Sequence, residues 1–269
     1  MSDTEKTNFE INQEELHKLF KPQNDSPEYR ELRADFDRNL KSMPGEFGGP
    51  CIYFHYKAIE KAEKEFLKDG HLEMVYAVLT GWGMHSTRPN PKLREFGEFK
   101  EEIRERINEI DAEVIEKFRS RSPLKNINDE DIDIIVTLIS SLQVNKSENT
   151  RIVSASKTLH HIFPNLIPPI DWKYSIKFMM KRPPFDNNSQ QYKNDAELAK
   201  QFFKGMCNFI STNEPSMSKL VEEAVKYNAT EKACEKGMYD FNTSLPKVFD
   251  NLIIAFVKMH KEKTTESKL

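Results

Sequence analysis

The chain has 269 residues, of which 38% are hydrophobic, 31% charged and only 9 Gly. It is long enough to bury about three quarters of its unfolded surface, and the composition excludes both a disordered chain and a Gly-rich nucleotide-binding sheet. A formal charge of −3 supplies no overall field for nucleic acid, so any such binding has to rest on a local patch.

Cys51, Cys207 and Cys234 are odd in number and far apart, without Cys-x-x-Cys or Cys/His spacing. Free thiols in a reducing compartment and no metal site are therefore expected. Met1 to Glu10 lacks the basic start and apolar run of a signal peptide. The longest apolar run, Leu252 to Val257, falls far short of the roughly 20 residues that span a bilayer. The expectation is a cytoplasmic protein without a membrane span or cofactor, its oligomeric state not legible.

Pro and Gly divide the chain into helix-length pieces. Residues 28–42 form a stripe through Tyr29, Leu32, Phe36 and Leu40, entered at Ser26-Pro27 and ended by Pro44-Gly45. Residues 51–69 continue with apolar spacings of three and four up to a stop at Gly70. His71 to Thr80 predicts a short buried helix, bent at Gly81-Trp82-Gly83. A long amphipathic helix is expected from Leu93 to Phe118. Asn128 to Asp131 carries a capping signature for an apolar helix over 132–144, whose β-branched content leaves a strand open. After a polar hinge at 145–150 come a helix from Trp172 to Met180, a Pro- and Asn-rich loop over 181–194, and helices at 194–211, 215–227 and 244–261, the last capped by Ser244. Residues 1–10 and 262–269 are expected to fray. The pattern predicts an all-α globular multi-helix bundle, a single domain over 11–261.

Arg151 to Tyr174 is the stretch that suggests chemistry. It reads as a small-residue turn at Ser154-Ala155-Ser156, then Lys157 at a helix start, a Pro-rich loop, and Asp171 opening the next helix. From Arg151 to Arg182 six basic residues face one acid, a local charge of +5 against −8 over the rest. Such a basic face suits a polyanion or phosphorylated ligand.

This arrangement resembles the helix-hairpin-helix (HhH-GPD) DNA glycosylases, over about residues 128–182. There a small-residue hairpin with a Lys precedes a Gly/Pro-rich loop and a Pro-x-Asp. Ser154-Ala155-Ser156-Lys157 stands at the hairpin and Pro169-Ile170-Asp171 at the Pro-x-Asp, although the hairpin glycines are absent. The resemblance implies a DNA-repair hydrolase, a glycosylase/AP lyase in which Lys157 attacks the sugar and Asp171 stabilises its positive charge, with duplex DNA held by the basic stretch 151–182. A closer likeness is to bacterial and archaeal proteins of unassigned activity marked by Trp-Gly-Met and by Ser-Lys-x-Leu-His followed by Pro-Pro-x-Asp. Trp82-Gly83-Met84 and Ser156-Lys157-Thr158-Leu159-His160 match these motifs.

Trp82, His85, Ser154, Ser156, His160, Trp172, Lys173 and Tyr174 are the residues expected to line the ligand. For each an ordinary role competes: core packing for the tryptophans, a surface loop for His85, a packed and an exposed ring for His160 and His161, and a helix cap for Asp171. Tyr53, His55 and Tyr56 form a further polar-aromatic cluster that a half-buried helix face explains equally well. Two other readings stay open: a non-catalytic nucleic-acid- or protein-binding bundle, and a small-molecule or nucleotide-binding helical protein with its pocket between the Trp82 loop and the Pro-rich loop.

Overall fold

The computed structural model describes residues 8–18, 50–84, 92–120, 123–146, 151–179, 195–228 and 244–266, with six helical positions between 27 and 38. The fold is all-α. The helices are α1 (Asn8–Lys18), α2 (Pro50–Lys64), α3 (Asp69–Leu79), α4 (Phe96–Asn108), α5 (Ala112–Arg119), α6 (Asp129–Ser141), α7 (Arg151–Ile162), α8 (Asp195–Thr212), α9 (Glu214–Asn228) and α10 (Leu245–Glu266). Wide-turn helical segments lie at Thr80–Met84 and Trp172–Met179, and a 3₁₀ turn at Pro123–Asn126. Among the described residues the sole extended pairing is an antiparallel bridge between Leu93 and Asn145. No described helix is long and apolar enough to cross a membrane.

One continuous apolar core runs from Leu16 on α1 to Met259 on α10. Helix α7 sits at its middle and packs against α2, α3, α6 and α8. Its sequence explains the position: Ile152, Val153, Ala155, Leu159 and Ile162 are buried, and Ser154, Ser156, Thr158, His160 and His161 are buried with them. A helix enclosed on nearly all sides must satisfy its polar side chains internally.

The α6 boundary follows from its capping box, in which Asn128 accepts from the Asp131 N–H and Asp131 accepts from the Asn128 N–H. The strand alternative for 132–144 thus falls to a helix. The last helix starts at its Ser244 cap, whose hydroxyl accepts from Lys247 N–H at 3.4 Å, and continues past the expected end to Glu266.

Three sequence expectations change. The helix over 93–118 is two helices, because Asp111 turns its side chain back to accept from the Glu113 N–H at 2.8 Å and caps a second start. A short Asp side chain competes with helix continuation in this way. Gly70 is not a stop: it lies in the first turn of α3, while the chain reverses at Leu67, which takes a left-handed φ of 55°. That conformation costs about 1–2 kcal/mol for a non-Gly residue. The corner is tied down by Arg104, whose Nε and Nη2 both donate to the Leu67 carbonyl, and by His71 Nδ1, which accepts from the Leu67 N–H. Helix α1 adds an element that periodicity did not indicate. It is anchored by buried Leu16 and by Gln13 Nε2 donating to the Gly205 carbonyl at 2.7 Å.

The loop expected over 181–194 lies outside the described residues, as does most of the helix expected over 28–42.

Candidate functional site

Ser154-Ala155-Ser156 is not a hairpin turn. These residues lie inside α7, and Lys157 is in the middle of the helix rather than at its start. Small residues serve here to let neighbouring elements approach. The Ser156 hydroxyl donates to the Val153 carbonyl and accepts from the Ile170 N–H at 3.0 Å. One turn on, His160 Nδ1 meets the Ile167 carbonyl at 2.7 Å. These two fasteners, with buried Phe163, Leu166, Ile167 and Ile170, lay the Pro-rich loop along α7 and bring Asp171 opposite Lys157. Ser154 is equally engaged, accepting from Asn145 Nδ2 at 2.7 Å.

Asp171 divides its two oxygens. Oδ1 accepts from the N–H groups of Lys173 at 2.7 Å and Tyr174 at 3.3 Å, capping the Trp172–Met179 segment. Oδ2 pairs with Lys157 Nζ at 3.2 Å. The cap and the ion pair coexist, and the Lys157 amine faces the carboxylate.

Trp82 joins this pair. It sits in the Thr80–Met84 segment, where Gly83 has φ 85°, a conformation that glycine adopts freely. Gly81 lets the segment lie against α2: a Cβ there would come within 3.0 Å of Cys51 Sγ, which itself donates to the Gly81 carbonyl. Lys157 Nζ lies 5.6 Å from the indole centre and Lys247 Nζ, from α10, 5.9 Å. Both are within cation–π range. Lys247 has its own partner, Asp250 Oδ2 at 2.6 Å. The outer pair is 15% and 29% exposed and the inner pair 5% and 6%. Burial pushes the Asp250 carboxyl above its usual range, Asp171 adding in the same direction.

Behind Trp82 lies a group of buried histidines. His55 stacks near-parallel to both Trp82 and His160, and His161 stands edge-on to His55 and His160. Carbonyl partners fix the tautomers, since a carbonyl only accepts. His161 Nδ1 donates to the Lys157 carbonyl, so its Nε2 accepts from His55 Nδ1 at 3.0 Å. His160 Nδ1 donates to Ile167, leaving Nε2 as a bare acceptor. That atom is buried and has no hydrogen-bond partner among the described residues. His71 Nδ1 accepts from Leu67, and its Nε2 donates to the His161 carbonyl.

Burial holds down the proton affinities of three of these four rings: His161 to about 3, His160 well below the usual value and His71 below it. Lys247 adds to the effect on His160 and His161. The unfolded histidines titrate near 6.5, so as pH falls below that value the unfolded chain takes up protons that the folded chain refuses. Stability is then lost toward acid, by about 1.4 kcal/mol per pH unit for each histidine. Asp250, raised by burial, acts in the opposite sense. Urea unfolding from pH 7.5 to 5 is therefore expected to show stability falling as the pH falls through the unfolded histidine range. A flat profile would contradict neutral, buried rings.

Lys157, Asp171 and Trp82 thus come together. Trp172 is half-buried against the core, Lys173 is exposed with its amine 4.9 Å from the Tyr174 ring, and His85 lies outside the described residues. Lys247 and Asp250 were not anticipated. The signal was there in two charges three residues apart within an otherwise apolar helix start. Among the described residues no three His, Cys, Asp or Glu side chains gather as a metal site. Cys51 and Cys207 are free thiols, and burial pushes the latter up to about 12. Compared with protein-family models, curated proteins and solved structures, the chain finds no match in any of the three.

Proposed function

We propose that this protein acts on DNA as a base-excision glycosylase with lyase chemistry, using Lys157 as nucleophile and Asp171 as its partner. The observation that carries this reading is the Lys157–Asp171 pair at 3.2 Å, partly exposed beside a half-buried indole. Amine attack requires loss of an ammonium proton, and Asp171 Oδ2 is in place to accept it. The freed amine then bonds to C1′ of the deoxyribose as the C1′–N bond breaks, and the base leaves with the electron pair. Ring opening gives the imine from which strand scission proceeds. Until it takes up that proton, the Asp171 carboxylate also stabilises positive charge developing on the sugar. The exposed Lys173 and Lys177 belong to the basic stretch that would meet phosphates.

The test is single-turnover processing of duplexes that carry a panel of damaged bases and abasic sites, for the wild type and Lys157→Gln. The expected outcome is action on at least one lesion and a fall of at least about 100-fold in the variant. Equal rates for the two proteins would refute the assignment of Lys157, and inaction across the panel would refute the function.

A further inference from the structure

Lys157 and Asp171 stand on different elements, so their 3.2 Å approach depends on what fixes the Pro-rich loop to α7. The two residues ahead of Ile170 are Pro168 and Pro169, which carry no N–H. The first backbone donors after them are therefore the N–H groups of Ile170 and Asp171, and each meets a serine hydroxyl. Ile170 donates to Ser156 Oγ on α7 at 3.0 Å, and Asp171 donates to Ser175 Oγ in the Trp172–Met179 segment at 3.2 Å. Both serines are fully buried, so they lie behind the ion pair rather than in contact with a substrate. Their places in the chain matter: Ser156 directly precedes Lys157, and Ile170 directly precedes Asp171. The Ser156 hydroxyl is itself oriented by donating to the Val153 carbonyl at 3.1 Å.

We infer that Ser156 and Ser175 are positioning residues, which set the Asp171 carboxylate against the Lys157 amine by holding the two N–H groups where the loop ends. This rests on the base-excision reading above, in which Asp171 accepts the Lys157 proton. That proton crosses only when donor and acceptor are within hydrogen-bond reach, and a misplacement of about 1 Å can lower a rate about 100-fold. Without its hydroxyl partner, the buried Ile170 N–H must find another acceptor. The backbone then moves, and the carboxylate moves with it. Ser156, expected from the sequence to line the ligand, acts instead through Asp171.

The proteins compared are the wild type, Ser156→Ala, Ser175→Ala and Thr158→Val, with each serine variant also made on Asp171→Asn. Thr158 is the control, since its equally buried hydroxyl donates within α7, to the Ser154 carbonyl at 2.8 Å. Maximal single-turnover rates and duplex affinities are measured on the panel lesion that the wild type processes fastest. Ser156→Ala and Ser175→Ala are each expected to lower the rate about 10–100-fold with affinity unchanged, while Thr158→Val reacts as the wild type does. On the Asp171→Asn background the same serine substitutions are expected to change little, because residues that act through one carboxylate are not additive. A serine effect that multiplies in full on that background, or that Thr158→Val matches, makes the hydroxyls part of the fold alone and overturns the inference. A wild-type rate in either serine variant overturns the role of that serine. Ser175→Ala carries the test where Ser156→Ala does not fold. A wild type inactive across the panel overturns this inference together with the base-excision reading.

Discussion

Asp171→Asn is expected to keep wild-type stability and lose the proposed reaction, whereas Asp171→Ala is expected to lose the reaction and some stability with it. The two oxygens of Asp171 do different jobs, one capping the Lys173 and Tyr174 N–H groups and the other pairing with Lys157. Asn is as good an N-cap as Asp, while Ala costs about 1 kcal/mol there. The Asn variant should therefore unfold within a degree or so of wild type, and the Ala variant about 2–4 °C lower. Neither variant offers an acceptor for the Lys157 proton, and loss of a positioned proton acceptor lowers rates by about 10²–10⁴-fold. Thermal unfolding read beside single-turnover rates separates the roles. An Asn variant that reacts at the wild-type rate would leave Asp171 as a cap and nothing more.

The second large effect is on stability and concerns the inner pair. Asp250→Leu removes the carboxylate that pairs with the buried Lys247 ammonium, and removing one member of a buried ion pair costs about 3–5 kcal/mol. For a chain of this size that corresponds to a midpoint lowered by roughly 6–20 °C. Adding Lys247→Met removes the orphan charge and should return most of the loss, so the double variant is expected to be more stable than the single one. Calorimetry of the three proteins decides it. A double variant less stable than Asp250→Leu alone would mean that the pair is a net stabiliser and that its presence needs no functional reason.

The sequence carried the helical periodicity well where one face is apolar, as over 51–64 and 129–141, because spacing at three and four reports burial directly. Periodicity was silent on competing local hydrogen bonds, which is why Asp111 split a helix and Leu67 took the turn expected of Gly70. At the site, Asp171 and Lys157 were legible from residue type and the Pro-rich loop. Ser154 and Ser156 suggest a turn in the sequence because small polar residues are common in turns; in a helix enclosed by four neighbours they serve as hydrogen-bonded spacers instead. Lys247 and Asp250 are about 90 residues from Lys157 in the chain, and the packing of α10 against the Trp172–Met179 segment, α8 and α9 brings them to Trp82. Such long-range convergence leaves no trace in local spacing. The histidine tautomers likewise depend on which carbonyl each ring meets, a property of the fold alone.

The most direct measurement is borohydride trapping of the protein on duplexes bearing damaged bases or an abasic site, followed by mass spectrometry of the cross-linked peptide. The predicted result is a covalent adduct mapped to Lys157 in the wild type and Asp171→Asn reduced in yield, with none in Lys157→Ala. Trapping that persists in Lys157→Ala, or an adduct mapped to another lysine, would contradict Lys157 as the nucleophile.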